Sequence, residues 1–425
     1  MPRRRSTHGP TAIRRRRLAL VVAALLALVA GVAVGASGGE EESAPDPRAT
    51  APRGAAAAST SGAESGSDSA ADNAAGSDSA SAAPSQEERI RARVERMPLA
   101  RQVGQLLVIS FSGTSAPSYV TDALRAGRAS GVILFGGNAP SADAVRRMTR
   151  AIQRAGGGDA IVSLDQEGGE IRTLAFAPPE RGQASQPNAA AAGAAARTTA
   201  AALRAVGVNV TLGPVADVAG GTPGSFMAGR AFPGDAARVA ASTQAAVRAY
   251  LGAGIEPAPK HFPGVGGATQ NTDFGSAAID RTTRQLDAID LAPYRAAIAA
   301  GASIVMVGHA RYPRVDGDRI ASQSRAIVTG LLRDRLGFDG VVMTDSLEAE
   351  AVDAATPGDA DVGAAAIRSL GAGADLLLLT GPGSFPLARR AVIAAAEADP
   401  ALRARVAESA ARVLALRERL RAAGR

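Results

Sequence analysis

The feature that most restricts the fold of this chain is an eightfold alternation. Short apolar runs of strand length recur at residues 105–111, 131–135, 160–164, 208–212, 255–259, 303–308, 340–344 and 375–379. Between them lie longer Ala- and Arg-rich amphipathic stretches, among them 143–155, 189–206, 236–253, 283–300, 326–336 and 362–371. Strands separated by helix-length crossovers build a parallel sheet. Eight such units in about 300 residues is the size of a (β/α)8 TIM-type barrel, an α/β fold. The competing architecture is an open doubly wound sheet, which carries a Gly-rich phosphate loop after its first strand. Phe111-Ser112-Gly113-Thr114-Ser115 lacks that spacing. Residues 401–425 read as one Arg/Ala/Leu amphipathic helix that packs on the barrel as its last helix.

What precedes the barrel reads as an address and a tether. The first 35 residues carry seven Arg and no acid, and residues 18–35 form an unbroken apolar or small run. A basic block followed by an apolar run is the layout of an export signal. The run is also just long enough to span a bilayer if uncut. Residues 1–36 are therefore expected to be a signal peptide or an N-terminal membrane anchor, which makes the protein exported: secreted, or held at the cell surface by 18–35. Residues 37–86 are Ala, Ser, Gly, Asp and Glu with few large apolar side chains, and carry eight acids and two bases. Such a segment cannot bury enough surface to offset its ordering entropy, so a disordered linker is expected. One catalytic domain then spans 87–425. Cys is absent, which excludes disulfides and thiolate metal sites. Basic and aromatic residues do not cluster beyond the signal, so no nucleic-acid partner is expected.

A barrel carries its chemistry just past the C-terminal ends of its strands. Polar groups recur there: Asn138; Asp165, Gln166 and Glu167; Asp217; Lys260 and His261; His309 and Arg311; Asp345; Thr380. A single such carboxylate can simply cap a loop. Recurrence at nearly every strand end points to a site. Lys260 is the chain's sole lysine, and His261 is one of three histidines. Lysine is a compact rotatable charge where arginine is a planar fork, so the exception carries information. Asp165, His261, His309 and Asp345 could form a metal site, but the Lys260 ammonium shares the same mouth. A Ser-His-Asp hydrolase lacks its G-x-S-x-G elbow. Asp345 directly follows a buried strand, which suits a nucleophile or an oxocarbenium stabiliser. Asp165, Arg230, Lys260 and His261 supply donors and acceptors of the kind that hold sugar hydroxyls.

On these residues the chain resembles glycoside hydrolase family 3, in its single-domain β-N-acetylhexosaminidase branch. The matching words are Gly104-Gln105-Leu106-Leu107, Gly131-Val132-Ile133-Leu134-Phe135, Asp165-Gln166-Glu167-Gly168-Gly169 and Gly213-Pro214-Val215-Ala216-Asp217-Val218. They continue with Gly229-Arg230-Ala231-Phe232, Lys260-His261-Phe262-Pro263-Gly264 and Thr344-Asp345-Ser346-Leu347. The resemblance implies a retaining β-glycosidase acting on cell-wall-derived GlcNAc glycans, with no cofactor and no metal. It implies Asp345 as the nucleophile, and Asp165, Arg230, Lys260 and His261 as residues holding the sugar in the innermost subsite.

Two departures qualify the resemblance. In this branch the loop after K-H-F-P-G carries an Asp-x-His dyad whose His is the acid/base. Here the run is Asn271-Thr272-Asp273, with Asp273 at the His position and Val265 where a second His often stands. Asp273 is the candidate replacement, provided its pKa is raised by its loop environment. Asn-Thr-Asp is also a good turn sequence. After Asp165-Gln166-Glu167-Gly168-Gly169 the family continues Arg-Val-x-Arg, whereas this chain has Glu170-Ile171-Arg172-Thr173. A β-glucosidase-type enzyme of the same family and a non-catalytic wall-glycan binding protein remain as alternatives.

Overall fold

The computed structural model describes residues 84–355 and 361–424. These residues belong to one compact unit, Ala80–Arg425. The signal and linker segments lie outside the described residues, apart from 84–86. There Ser85 caps a helix over Gln86–Glu95: its hydroxyl accepts from the Glu88 N–H, and the Glu88 carboxylate accepts from the Ser85 N–H.

Eight parallel strands carry the fold: β1 Leu107–Ile109, β2 Gly131–Leu134, β3 Ile161–Leu164, β4 Val210–Thr211, β5 Glu256–Pro257, β6 Ile304–Val307, β7 Val341–Ser346 and β8 Leu376–Leu379. Their order in the sheet is β5-β4-β3-β2-β1-β8-β7-β6. Closure falls between β5 and β6, where the Met306 N–H donates to the Pro259 carbonyl (3.0 Å) and the Phe262 N–H to the Met306 carbonyl (2.8 Å). The expected (β/α)8 barrel is therefore what the chain forms.

Both faces of these strands are apolar because both are covered. Val108, Ile133, Ile161, Val210, Ile304, Met306, Val341, Met343, Leu376 and Leu378 fill the barrel interior. Their neighbours Leu107, Ile109, Val132, Leu134, Val162, Leu164, Leu377 and Leu379 face the helices. The last helix, Pro400–Ala423, seals the N-terminal end by adding Val413, Leu416 and Leu420 to the interior cluster. Packing of this helix on the barrel is what the sequence leads one to expect.

The structure corrects several element boundaries. Residues 105–111 narrow to β1, since Gln105 ends a helix over Leu99–Gln105. The helix expected over 283–300 is broken into Thr283–Ala288 and Leu291–Ala299. At the break Asp290 is fully buried, with both carboxylate oxygens on Arg281 Nη1, while Pro293 has no N–H to give. The helix over Ala326–Arg335 is wound with i→i+5 spacing. β7 runs through Ser346, so Asp345 is the penultimate residue of a strand and not part of the loop beyond it.

Candidate active site

The mouth of the barrel gathers every candidate site residue of the sequence, each delivered by the end of a strand or the loop after it. Lys260 anchors one side. It follows β5, and its N–H donates to the Pro214 carbonyl at 3.1 Å, tying it to the loop after β4. Its Nζ lies 2.5 Å from Asp165 Oδ1 and 2.6 Å from Glu167 Oε1. Glu167 is also gripped by the Arg230 fork, with Nε 2.9 Å from Oε2 and Nη2 2.7 Å from Oε1. Two cations converge on two carboxylates. Burial by itself raises the Glu167 carboxyl, but Lys260 and Arg230 outweigh it and bring its pKa down to about 2. Burial likewise lowers the Lys260 ammonium, and the charges of Asp165 and Glu167 more than reverse that, so it stays protonated.

Glu167 reaches this position from a short hairpin, Gln166–Gly168 against Ile171–Arg172. The hairpin turns tightly at Gly168, at φ +95°, where a Cβ would lie 2.4 Å from the Arg181 carbonyl. Arg172, displaced by one position from the family pattern, turns back to donate to the Ala175 carbonyl at 2.6 Å.

His261 is fixed from behind. Its Nδ1 donates to Asp217 Oδ2 at 2.8 Å. Asp217 Oδ1 accepts from the Val265 N–H at 2.7 Å, so one fully buried carboxylate orients both the imidazole and the start of the following loop. Nε2 then points to the mouth, 4.0 Å from Asp345 Oδ2. Val265, at the position where the family often has a second His, is buried in the apolar cluster beneath the loop.

Asp345 is partly buried and accepts from the Ser346 N–H at 2.7 Å. Burial raises its carboxyl, but His261, His309, Lys260 and the Ser346 N–H together hold it below the ordinary carboxylate value. His309 acts through the backbone. Its Nε2 donates to the Ser346 carbonyl at 2.9 Å, and its Nδ1 accepts from the Ser322 hydroxyl at 2.7 Å. Burial lowers its pKa, against the opposing charges of Asp345 and Asp273 and the bond to the Ser346 backbone.

Asp273 arrives on the long loop after β5. Its N–H donates to Asn271 Oδ1 at 3.0 Å, so Asn271 shapes the turn that presents it. The loop is docked on the far side of the mouth. Thr272 and Asp273 carbonyls accept from the N–H groups of Ala351 (3.1 Å) and Glu350 (3.2 Å), in the helix Glu350–Ala355 that follows β7. At the other end of the loop Gly264, at φ +128°, passes so close to Asp290 that a Cβ would lie 2.7 Å away, and its carbonyl accepts from Tyr312 Oη at 2.7 Å. The Asp273 side chain reaches solvent, yet the crowded mouth surrounds it. Burial first, then the Asp345 charge, pushes its carboxyl above the ordinary value, against the opposing pull of His261, Arg230 and His309.

Three residues of this arrangement carry no assigned role in the sequence reading of a glycosidase: Glu167, Asp217 and His309. Glu167 and Asp217 stand in the Asp165-Gln166-Glu167-Gly168-Gly169 and Gly213-Pro214-Val215-Ala216-Asp217-Val218 motifs, the signal available for them, and His309 is weighed there only as a metal ligand. Which partner each residue takes depends on loops distant in sequence. Among the described residues no group of three or more His, Asp or Glu side chains is placed to hold a metal ion.

Two carboxyl groups whose environments push their pKa values in opposite directions are the electrostatic pattern of an acid and a nucleophile. Set at the C-terminal mouth of a parallel barrel, beside the polar cluster of Asp165, Lys260 and His261, they fit a glycoside-hydrolase barrel. Residues 98–416 match the Glycosyl hydrolase family 3 N terminal domain. A Beta-hexosaminidase of Xanthomonas oryzae pv. oryzae is 35% identical over 252 residues, covering 57% of this chain and 75% of its own. An uncharacterized secreted glycosyl hydrolase of Arthroderma benhamiae is 32% identical over 310 residues, covering 70% of this chain and 86% of its own. The solved structure of a family 3 beta-N-acetylglucosaminidase from Paenibacillus sp. superposes with a TM-score of 0.71 at 32% identity, over 77% of this chain. This chain spans 63% of that protein's length. The chain belongs to glycosyl hydrolase family 3.

Proposed function

We propose that this protein is an exported retaining β-glycosidase, a β-N-acetylhexosaminidase acting on GlcNAc-containing glycans derived from the cell wall. The observation that carries the proposal is the opposed pair: Asp345 held below, and Asp273 pushed above, the ordinary carboxylate pKa. Asp165, Lys260, Arg230 and His261 hold the sugar in the innermost subsite and orient its anomeric carbon toward Asp345. Protonated Asp273 gives its proton to the glycosidic oxygen as the Asp345 carboxylate attacks the anomeric carbon. The bond to the leaving sugar breaks, and a glycosyl ester on Asp345 forms. Asp273, now ionised, takes a proton from a water that attacks the same carbon, releasing the sugar with net retention and regenerating both groups.

Export rests on the basic and apolar start of the chain, with residues 1–36 as signal or anchor, 37–86 as tether and 87–425 as the catalytic domain. The Arthroderma benhamiae relative, described as secreted, supports the same placement. Among the described residues no helix is long and apolar enough to cross a membrane, and the 18–35 run lies outside them.

The test is a pair of chromogenic substrates, a β-GlcNAc and a β-glucoside, given to the wild-type protein and to Asp345→Ala. Cleavage of the β-GlcNAc substrate in preference, lost in the variant, is the expected result. Preference for the glucoside would move the protein to the β-glucosidase reading. Cleavage of neither, with GlcNAc oligosaccharides still bound, would establish a glycan-binding protein instead, a reading favoured by Asn271 and Asp273 standing where the family has its dyad.

A further inference from the structure

The loop after β5, residues 264–281, carries Asp273 midway along it, and both of its ends come down on one side chain. That side chain is Asp290, fully buried in the break between the helices Thr283–Ala288 and Leu291–Ala299. At the outgoing end, Arg281 Nη1 donates to Asp290 Oδ1 at 2.5 Å and to Oδ2 as well. At the incoming end, a Cβ on Gly264 would stand 2.7 Å from Asp290 Cβ and 3.0 Å from Oδ1, an approach that only glycine permits. The two ends also lie against each other. A Cβ on Gly267 would be 3.4 Å from Arg281 Nη2 and 3.6 Å from Ile279 Cγ2.

Each limb is then tied to the barrel on its way to Asp273. On the incoming limb the Val265 N–H donates to Asp217 Oδ1 at 2.7 Å, and the Ala268 carbonyl accepts from the Phe226 N–H at 3.2 Å. On the returning limb the Ala277 carbonyl accepts from the Arg311 N–H at 2.8 Å, and the Ile279 N–H donates to the Arg311 carbonyl at 2.9 Å. Between the limbs, the Thr272 and Asp273 carbonyls rest on the N–H groups of Ala351 and Glu350. The contacts that place Asp273 therefore run back, along both limbs, to Asp290.

Stability alone does not account for Asp290. Burial pushes its carboxyl up to about 7, against the pull of Arg281, so the fold works against its charge. A buried ion pair is weak evidence of stabilisation, since apolar side chains of the same volume often replace one without loss. What a hydrogen-bonded charge pair adds over an apolar contact is direction: it fixes the two segments it joins in one geometry. Both Asp290 oxygens are taken by Arg281, and the side chain is shut off from solvent. Asp290 can therefore act on chemistry at the mouth only through the parts it holds.

We propose that Asp290 is a positioning residue for the proton donor: with Arg281 it pins both ends of the loop at one point and so sets where Asp273 stands relative to the glycosidic oxygen. This rests on the proposed function and its assignment of Asp273, and adds the residue that fixes the donor's place. A proton donor must come within hydrogen-bond reach of the oxygen it serves. A displacement of about 1 Å can cost about 10²-fold in rate. Such a loss falls on substrates whose leaving group needs a proton, and spares those whose leaving group departs as a stable anion.

The experiment compares kcat/KM for phenyl N-acetyl-β-glucosaminide, whose leaving phenoxide is basic, with that for the 2,4-dinitrophenyl glycoside, whose leaving group needs no proton. The proteins are wild type, Asp290→Asn, Arg281→Gln, Asp273→Asn and the double variant Asp273→Asn/Asp290→Asn. A control, Asp375→Asn, breaks the buried pairs with Arg333 and Arg405 at the start of β8. In Asp290→Asn and Arg281→Gln the phenyl value is expected to fall about 10²-fold, while the dinitrophenyl value stays within about threefold of wild type. The ratio of the two values should fall no further in the double variant than in Asp273→Asn, and should keep its wild-type value in Asp375→Asn. Arg281→Gln breaks the same pair from its partly exposed side, and so reports even if Asp290→Asn does not fold. An equal fall for both substrates, an unchanged ratio, a further fall in the double variant, or the same change in Asp375→Asn overturns the positioning role while leaving the hydrolase standing. A wild-type ratio in Asp273→Asn overturns the assignment of Asp273 and the positioning role with it. Cleavage of neither substrate by the wild-type protein overturns the proposed function as a whole.

Discussion

Asp375 and Asp345 stand at opposite ends of the barrel, and both are carboxylates held below their ordinary pKa. Asp375, before β8, is fully buried and saturated. Oδ2 takes Arg333 Nη2 (2.5 Å) and the Val342 N–H (2.9 Å); Oδ1 takes Arg405 Nη2 (2.6 Å), Ser409 Oγ (3.0 Å) and Arg412 Nη1 (3.4 Å). Nearby, Arg417 donates to Asp159 and to Gln105. At the mouth, Asp345 accepts one backbone N–H and has His261 at 4.0 Å. Glu348 Oε1 is buried there with no hydrogen-bond partner among the described residues. Asp273 is pushed toward its protonated form. The same residue types thus do different work. At the floor, charge is matched to charge and the lone pairs are used up. At the mouth, carboxylates are left with capacity that a substrate can take. The floor cations are all arginines, which suit planar bidentate pairing, whereas the single lysine is at the mouth.

The contrast can be broken by substitutions at each end. The largest expected effect is that of Asp345→Ala, which should lower turnover by about 10⁴-fold or more while shifting the melting midpoint little. Loss of the fold with the activity would place Asp345 with the floor residues. Next comes Asp273→Asn, with an expected loss in kcat of about 10²- to 10⁴-fold for a substrate with a poor leaving group. The sign of its pH effect follows from the pKa directions. The proposed mechanism needs Asp345 ionised, which its lowered pKa secures into acid, and Asp273 protonated, which its raised pKa extends upward in pH. The alkaline limb of the kcat/KM profile therefore belongs to Asp273, and the Asn variant should lose that limb. Unchanged kinetics would return Asp273 to a loop-capping role.

At the floor, Asp375→Asn should cost about 3–5 kcal/mol of stability, because it strands Arg333, Arg405 and Arg412 around a neutral group. Chemical denaturation measures that cost, and turnover per folded molecule should be preserved. The smallest effect sharpens the border between the two regions. Glu167 lies at the mouth but is saturated like a floor residue. Its pKa of about 2 lies below its ordinary 4.5, so its contribution to stability is complete above pH 4.5 and is lost as pH falls toward 2. The melting midpoint of Glu167→Gln should depend less steeply on pH across that window than the wild type's. Equal slopes would show that the Lys260–Glu167–Arg230 cluster is not coupled to folding.

Much of the fold could be read from the chain because strands buried on both faces are continuous apolar runs, and eight of them alternate with helices. The break at Asp290 could not, since it depends on Arg281 and on the approach of Gly264 from the loop after β5. Within the candidate site, Asp165, Arg230, Lys260, His261, Asp273 and Asp345 stood out by motif and position, and the structure gathers all six at one mouth. What the sequence concealed was the support behind them. Asp217 orients His261, His309 holds the backbone beside Asp345, and Glu350 and Ala351 dock the Asp273 loop. Each of these links joins residues tens of positions apart, and spacing along the chain carries no trace of it.

The proposed mechanism turns on a covalent bond between Asp345 and the sugar. Its most direct test is to treat the wild-type protein with a 5-fluoro β-GlcNAc derivative carrying a good leaving group, then locate the added mass by peptide sequencing. One glycosyl unit on Asp345, absent from Asp345→Ala, is the result this account requires. A wild-type enzyme that turns over β-GlcNAc substrates yet carries no adduct, or carries it on another residue, would contradict it.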